Sequence, residues 1–432
     1  MKQQWRNFLV FWGSQSLSIL GTSMTQFALL IWIFNRGGSV TAVTLLGFVS
    51  CLTYVLASPV AGVMVDRWDR RRVMLLADLG AGVTTAVLLG LNLGGRLEIW
   101  HLYLARGISG VFEAFQEPAF SASISLMVDR SQYTRANGLM GLGRSAARMF
   151  APAAAGLLIG LPQGLSLVMI MDLITLSLSV ITLLRVRVPR PAGGPAGALA
   201  PASFAAELRF GARYIWQRPG LRGLLATFFL VNLFGTITYL SILSPMILAR
   251  SGGDEAGLGV VRMVMGLGGI AGGVVISSVW RGTRRKTRLY LLSTAVSFAV
   301  CDLLTAVSRG VPGWAAAGFL SELAIPWIVS PYLALWQEHV PPEVQGRVFS
   351  AREMIQVTSQ PVGYLFGGLL ADHLFEPMLQ SGQGLGAGLS LLVGSGAGAG
   401  MAAMFVFTSV LGGLTGVWGL LNPAIRRLDE TA

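Results

Sequence analysis

The chain has 432 residues, of which 53% are hydrophobic and only 12% are charged, about half the ~25% usual for soluble domains. Such a chain has too few polar side chains to cover a soluble surface, so its composition indicates a polytopic helical membrane protein and excludes a soluble enzyme, a disordered chain and a disulfide scaffold. The net charge of +12 does not indicate nucleic-acid binding, because the basic residues stand in short runs between apolar stretches.

The apolar segments predict twelve membrane-spanning helices, since each needs ~20 mostly apolar residues. The first six are predicted at 6–34, 41–65, 72–93, 97–127, 136–160 and 164–186. The second six are predicted at 220–248, 256–280, 288–308, 313–337, 345–373 and 396–422. The predicted fold is therefore all-α, with an N-terminal six-helix bundle in residues 1–186 and a C-terminal one in residues 220–432.

A linker is predicted between the two sets of helices, at residues 187–219. Its first part is rich in Pro, Gly and Ala and is typical of a flexible connection. From Ser203 to Pro219, apolar residues alternate with charged ones, which predicts a short amphipathic helix lying on the membrane surface. A soluble loop helix is the alternative.

The distribution of basic residues predicts the orientation of the chain. Most of the 32 Lys and Arg residues fall at the two termini, in the central linker and in the loops after the even-numbered helices. Because cytoplasmic loops of membrane proteins carry the excess of Lys and Arg, both termini are predicted to be cytoplasmic.

An internal repeat relates the two halves of the sequence. The segment from Ala61 to Asp66 at the end of helix 2 matches the segment from Gly272 to Ser277 at the end of helix 8. Repeated six-helix halves are typical of secondary transporters that work by rocking two bundles around a midplane site.

The most specific motif lies between helices 2 and 3, where the sequence reads GVMVDRWDRRR from residue 62. It resembles the signature of the major facilitator superfamily, G-x-x-x-D-R-x-x-R-R. The resemblance implies a cytoplasmic gate that holds the two halves together, formed here by Gly62, Asp66, Arg67, Arg70 and Arg71. Independently, a glycine permits close helix approach, and Asp66 at a helix end is placed to face Arg70 or Arg71. A purely topogenic basic loop is the alternative.

Helix 4 resembles a second pattern of the superfamily, associated with proton-coupled members. The segment from Leu102 to Gly110 places Arg106 inside the membrane, and Ser109 replaces the usual Gln. An Arg in a spanning helix rarely faces lipid, so a role in a buried site or cavity is expected. A structural pairing near the outer end of the helix is the alternative. The helix 5 pattern of drug/proton antiporters is only weakly present around Pro152.

The wider sequence resembles the superfamily branch that contains macrolide-efflux and enterobactin-exporter-type proteins. The resemblance rests on residues 21–28, on the amphipathic segment before helix 7, on residues 341–350 and on the glycine-rich stretch 394–400. It implies export of a bulky, partly apolar small molecule driven by a proton gradient. The glycine runs are interpreted as close helix packing, because no strand precedes them as in a nucleotide-binding loop.

Substrate and proton sites are predicted from polar residues within the helices. In the superfamily, helices 1, 4, 7 and 10 line the cavity, so Asp78, Asp172 and Asp302 on helices 3, 6 and 9 are predicted to stand outside it. The proton-pathway candidates are Arg106, Glu113 and Glu322. A mostly apolar cavity with sparse polar groups is predicted to include Gln15, Thr22, Gln26, Asn232, Tyr239, Trp327, Gln356 and Gln360.

Helices 4 and 5 are predicted to be joined by two acid–base pairs. The helices form an antiparallel hairpin, so residues at equal depth have numbers with a constant sum, as do Glu117 with Arg144 and Glu113 with Arg148. Pairing would relieve the cost of lone charges in the membrane. We expect Glu117–Arg144 to be a brace and Glu113–Arg148 to be the functional pair. The alternative is that the equal sums are coincidental.

These observations predict a monomeric, proton-coupled exporter in a bacterial-type plasma (inner) membrane, with a small-molecule substrate, protons and the lipid bilayer as its partners. No cofactor, metal, nucleic-acid partner or ATP hydrolysis is expected, because the sequence has no Walker-type loop and no metal-ligand spacing. The alternatives are a lipid or nutrient porter, a receptor without transport and a membrane-embedded enzyme. An enzyme would need a convergent set of nucleophile, acid and base, which three His and two isolated Cys do not supply.

Overall fold

The computed structural model of the chain describes residues 2–37, 39–128, 132–186, 204–279 and 285–429, and every regular element among them is helical. The helices belong to two compact units. The first unit contains residues 1–38 and 45–200, and the second contains residues 39–44 and 201–432. The predicted flexible part of the linker, up to residue 203, lies outside the described residues.

The first unit contains six long helices that follow the predicted order. They are α1 (Lys2–Gly37), α2 (Val40–Arg67), α3 (Arg70–Leu93), α4 (Ile99–Met127), α5 (Tyr133–Ile159) and α6 (Gly164–Arg185). The first turn of α2 belongs to the second unit, where Asp372 Oδ2 accepts hydrogen bonds from Ser39 Oγ and from the Thr41 N–H, both at 2.8 Å.

The second unit begins with a short helix, α7 (Phe204–Trp216), which is followed by the remaining long helices. These are α8 (Pro219–Ser251), α9 (Glu255–Val279), α10 (Lys286–Val307), α11 (Val311–His339) and α12, a nearly continuous helix over 342–380. Two shorter helices, α13 (Leu385–Val393) and α15 (Pro423–Arg426), flank α14 (Ala399–Leu421). Helices α8, α10 and α12 contain π-helical turns at Thr236–Ile242, Ser297–Asp302 and Ala371–Phe375.

Nine helices of the described chain are long and apolar enough to cross a membrane, namely α1, α2, α3, α6, α8, α9, α10, α11 and α14. Helices α4, α5 and α12 occupy the other three predicted positions. Each of them carries buried or cavity-facing charges, such as Arg106 in α4, Arg144 in α5 and Arg352 in α12.

In the first unit, α1 packs against α5 and α6, while α3 packs against α4 and α6. The Phe11 and Phe120 rings lie 5.4 Å apart in a core of fully buried apolar side chains. Trp12 Nε1 donates a hydrogen bond of 2.8 Å to the Leu139 carbonyl, which ties α1 to α5. Helices α4 and α5 make few contacts with each other, which leaves room for a cavity between them.

In the second unit, glycines bring α9 and α11 into close contact. A methyl group added at Gly272 would lie 2.2 Å from the Leu323 carbonyl oxygen, and one at Gly268 would lie 2.3 Å from that of Phe319. Only a residue without a Cβ permits this approach. The glycine run 266–273 therefore serves helix packing, as the sequence predicted.

The predicted amphipathic helix is present as α7, and one of its faces packs against the first part of α12. Ile215 is fully buried, Leu208 packs against the same apolar core, and the Arg347 guanidinium lies 4.2 Å from the Phe210 ring centroid. Trp216 is 65% exposed. Helix α7 therefore packs against its own unit, and only its outer face is free to contact a membrane.

Candidate functional site: a charged cavity in the first unit

A cavity of about 540 Å³ opens within the first unit. Apolar and aromatic side chains form much of its wall, and its polar groups come mainly from α1, α3, α4 and α5. The polar lining residues are Gln15, Ser18, Thr22, Ser23, Gln26, Tyr54, Asp78, Ser109, Glu113, Gln116, Glu117, Arg144 and Arg148. The three residues predicted on helix 1, Gln15, Thr22 and Gln26, all line this cavity.

An ion pair joins Glu117 of α4 to Arg144 of α5, and both side chains line the cavity. Their side chains are 48% and 38% exposed, so the pair faces the open space rather than the helix packing. The two residues proposed as a brace are thus brought together at the cavity wall.

Glu113 pairs with Arg106 of its own helix, with Nη1 and Oε1 3.5 Å apart, and not with Arg148 as predicted. Arg106 lies seven residues, or two helical turns, before Glu113 and therefore on the same face. Its other nitrogen, Nη2, donates a hydrogen bond of 2.7 Å to Ser50 Oγ, and Gln26 Nε2 donates one of 3.1 Å to Glu113. Arg148 lines the cavity without an ion pair among the described residues. The hairpin argument fails here because it left out Arg106, which lies on the same face of the same helix and takes Glu113 as its partner.

Asp78 of α3 also lines the cavity, which corrects the prediction that helix 3 stands outside it. Its carboxylate is 1% exposed and accepts hydrogen bonds from Gln116 Nε2 at 2.6 Å, Ser179 Oγ at 2.8 Å and Gln15 Nε2 at 3.4 Å. The donors come from α4, α6 and α1. Asp78 is therefore the point where four helices of the first unit meet.

Asp172 of α6 is equally buried but lies behind the cavity wall, as predicted. Its carboxylate accepts hydrogen bonds from Thr22 Oγ1 at 3.0 Å and from Thr85 Oγ1 at 3.1 Å. These contacts fasten α6 to α1 and α3.

The second unit has two smaller cavities, of about 220 and 200 Å³. The predicted residues Asn232 and Gln360 line both. Tyr239 and Glu322 line the larger cavity and Gln356 lines the smaller one, whereas Trp327 is not among the lining residues of either. Gln356 Nε2 donates a hydrogen bond to the Tyr332 hydroxyl.

Asp302 of α10 lines the larger of these cavities, which again corrects the prediction for its helix. It is 2% exposed and accepts hydrogen bonds from the Tyr239 hydroxyl at 2.9 Å and from Thr408 Oγ1 at 2.7 Å. Tyr239 and Asp302 both belong to π-helical turns, which are frequent at functional sites.

The motif between α2 and α3 is partly described. Gly62 and the side chains of Asp66 and Arg67 lie outside the described part of the structure. Arg71 Nε and Nη2 donate hydrogen bonds of 2.5 Å to the carbonyls of Leu183 and Leu184, at the end of α6. Arg71 thus satisfies carbonyl groups that a helix end leaves without intrahelical partners.

The sequence model of the Major Facilitator Superfamily matches residues 11–364. The chain belongs to this superfamily. It is 27% identical over 378 residues to macrolide efflux protein A of Streptococcus pyogenes, which covers 85% of this chain and 90% of that protein. It is 23% identical over 363 residues to the multidrug efflux pump Tap of Mycolicibacterium fortuitum, which covers 82% of this chain and 86% of that protein.

A solved structure of a bacterial homologue of the human lysosomal transporter Spinster is similar with a TM-score of 0.69. The sequence identity is 15%, and the match covers 97% of this chain and 99% of that chain. This likeness shows the major facilitator fold. The protein is a multi-pass membrane transporter with efflux-pump relatives and is not an enzyme.

Sequence reasoning missed several residues that organise this major facilitator transporter. Gln116 and Ser179 hold Asp78, and Asp69 accepts hydrogen bonds from the Arg71 and Arg72 N–H groups at the start of α3. Gln116 could have been found, because it lies one turn from Glu113 on an apolar helix.

Among the described residues, no group of three or more His, Cys, Asp or Glu is placed to hold a metal ion.

Proposed function

We propose that this transporter exports a bulky, partly apolar small molecule, drug-like or siderophore-like, in exchange for protons. Its two six-helix bundles, at residues 1–186 and 220–432, would rock around a midplane site to give alternating access. It would act as a monomer in a bacterial inner membrane with both termini cytoplasmic, as its basic loops indicate.

The observation that carries this proposal is the cavity of the first unit. Its volume of about 540 Å³ lies within the range of ~300–1,000 Å³ of small-molecule sites. Aromatic walls from Phe112, Phe120 and Tyr54 surround a few charged groups, a combination that suits an apolar molecule with one or two polar functions. The efflux relatives support the outward direction.

Proton coupling requires a carboxylate that changes its protonation state during the cycle. Glu113, with its partner Arg106, and Glu322 in the second unit are proposed members of this pathway. Gly62, Asp66, Arg67, Arg70 and Arg71 are proposed as the cytoplasmic gate.

Transport by the purified, reconstituted protein tests the proposal. A panel of compounds that includes macrolides and siderophores is first screened by susceptibility and accumulation in cells with and without the protein. Hits are then measured in proteoliposomes by counterflow and under an imposed pH gradient, with a protonophore as the control. We expect counterflow and gradient-driven export that the protonophore abolishes.

Each contrary result identifies a different error. Accumulation toward the cytoplasmic side would indicate an importer of lipid or nutrient. Counterflow without any response to the pH gradient would contradict proton coupling. A complete lack of exchange under every gradient would favour a receptor.

A further inference from the structure

Asp78 is the most completely enclosed carboxylate that still reaches the cavity of the first unit. It is 1% exposed, and no basic side chain in the described part of the chain forms an ion pair with it. A carboxylate within a membrane is expensive and by default functional unless it is paired. We infer that Asp78 is the proton-storing residue of the first unit, on which uphill export depends; this inference rests on the proposed function.

The hydrogen-bond partners of Asp78 suit both protonation states. As a carboxylate, it accepts hydrogen bonds from Gln15, Gln116 and Ser179. As a carboxylic acid it must donate one hydrogen bond, and a glutamine amide or a serine hydroxyl can turn to accept it. The proton can therefore be held without leaving a buried polar group unsatisfied.

The two cavity glutamates differ from Asp78 in this respect. Glu113 and Glu117 are paired with Arg106 and Arg144. A guanidinium has no acceptor and does not lose its proton, so protonating either glutamate would leave an arginine without its counter-charge. Their partners favour the ionised state, so neither glutamate is suited to hold the proton through the cycle.

Glu113 and Gln116 of α4 both line the cavity beside Asp78. Gln116 lies one turn beyond Glu113 and donates directly to Asp78 Oδ1 at 2.6 Å. A proton from cavity water would form the O–H bond on Asp78 and would return to water when the cavity opens to the other side. Glu113 is then a point of passage, and Asp78 is where the proton stays.

Other titratable and charged groups surround Asp78 on the helices packed against it. Helix α4 contributes Glu113 and Glu117 to the same cavity, and α5 contributes Arg144 and Arg148. Helix α6 contributes Asp172, two turns before Ser179, which Thr22 and Thr85 hold away from the cavity. On α1, the cavity-facing residues are uncharged.

The second unit repeats this arrangement. In both units an aspartate on the third long helix accepts hydrogen bonds from a side chain on the first long helix and from a hydroxyl on the sixth. Gln15 and Ser179 hold Asp78, and Tyr239 and Thr408 hold Asp302. Both aspartates line a cavity. Because the same arrangement occurs in both units, the grouping of residues around Asp78 is not a chance one.

Asp78→Asn tests the inference, with Asp172→Asn as the matched control because Asp172 is equally buried but does not line the cavity. The transport readout uses erythromycin as the macrolide probe in proteoliposomes under a gradient of one pH unit, which can sustain at most about tenfold accumulation per coupled proton. We expect Asp78→Asn to lose this accumulation and to keep counterflow, whereas Asp172→Asn keeps both.

A second readout does not depend on any substrate. Infrared difference spectra of the full-length protein between about pH 5 and pH 9 should contain a protonated-carboxyl band that shifts on labelling with ¹³C-aspartate. Asp78→Asn should lose one component of this band, and Asp172→Asn should keep that component. If Asp78→Asn fails to fold, Asp78→Glu should convert the aspartate band into an unlabelled glutamate band.

The inference is overturned if Asp78→Asn accumulates erythromycin with the pH dependence of the unmodified protein. It is also overturned if the infrared band loses no component in that variant, or if Asp172→Asn shows the same losses. Failure of the unmodified protein to transport any compound would contradict the proposed function, and the infrared band would still decide the role of Asp78.

Discussion

The two units share a helix order but differ in where they place charge and where they pack tightly. The first unit encloses a cavity of about 540 Å³ whose wall carries the Glu117–Arg144 ion pair, Glu113 and the buried Asp78. The second unit has cavities of about 220 and 200 Å³, and the ring of Phe228, which lines both, stacks 3.9 Å from the Tyr332 ring. The first unit thus gathers five charged side chains around one cavity, whereas the second unit divides four between two smaller cavities.

The largest expected effect concerns the packing of the second unit. Gly272→Ala places a methyl group 2.2 Å from the Leu323 carbonyl oxygen, so α9 and α11 must separate. Overpacking of this kind costs ~1–3 kcal/mol. We expect a lower melting temperature and poor recovery of folded protein in detergent. The neighbouring Gly273→Ala has open space around the added methyl group and is the matched control; equal losses in both variants would contradict the packing argument.

Tyr239→Phe removes one of the two hydroxyl donors to Asp302 in the second unit. We expect the free energy of unfolding to fall by about 1–2 kcal/mol. This value lies between that of a typical hydrogen bond and that of a hydrogen bond to a charged group. Thermal unfolding of Tyr239→Phe and Thr408→Val, singly and together, measures it. If the double variant loses no more than either single variant, the two hydroxyls do not act on Asp302 separately.

Charge reversal tests whether the Glu117–Arg144 ion pair of the first unit serves transport. Glu117→Arg places two arginines at the cavity wall, and adding Arg144→Glu restores a pair of opposite orientation. Because both side chains are more than a third exposed, water screens the interaction, and we expect a loss of about fivefold in transport, equivalent to ~1 kcal/mol. The double variant should recover part of it.

The ion pair of Lys286 with Glu338 in the second unit is the control for that experiment. It lies outside the three cavities described above. Reversing both of its charges should leave transport unchanged. If reversing the Lys286–Glu338 pair reduces transport as much as reversing the Glu117–Arg144 pair, the role assigned to the cavity ion pair of the first unit is wrong.

Much of the fold could be predicted from the sequence, because the lengths of the apolar segments and the positions of the glycines are local properties. The helix positions and the packing role of Gly268 and Gly272 are of this kind. Gln15, Thr22 and Gln26, three polar side chains that interrupt one apolar helix, line the cavity of the first unit, and their contact with substrate stays a prediction. Helix numbering along an assumed hairpin led to a wrong partner for Glu113, because it ignored Arg106 two turns away on the same helix.

Asp78 and Asp302 could not be placed from the sequence for a different reason. Their position at a cavity wall depends on which helices separate and which remain packed, and this is a tertiary property. The general pattern for the superfamily put the third helix of each half outside the cavity. The structure shows that one inward-facing aspartate on such a helix reaches the lining through its contacts with the first and sixth helices.

The smallest expected effects concern how each unit begins its third long helix. In the first unit Asp69 is a local cap, because its Oδ1 accepts a hydrogen bond of 3.0 Å from the Arg71 N–H. In the second unit Arg285 provides no side-chain cap at the start of α10, and the Thr287 N–H donates instead to Asp429 Oδ1 at 2.9 Å, near the C-terminus. The same requirement is met locally in one unit and from 142 residues away in the other.

Asp69→Ala and Asp429→Ala should each cost stability toward the low end of the ~0.5–2 kcal/mol found for capping residues. Asp69→Ser keeps a capping oxygen and should restore most of the loss. Ending the chain after Leu428 should reproduce Asp429→Ala if the aspartate acts only as the cap of α10. Hydrogen exchange at the first turns of α3 and α10 separates the two effects, because each variant should loosen its own helix start and leave the other protected. Loosening of both helix starts by either variant would mean that the caps do not act within their own units.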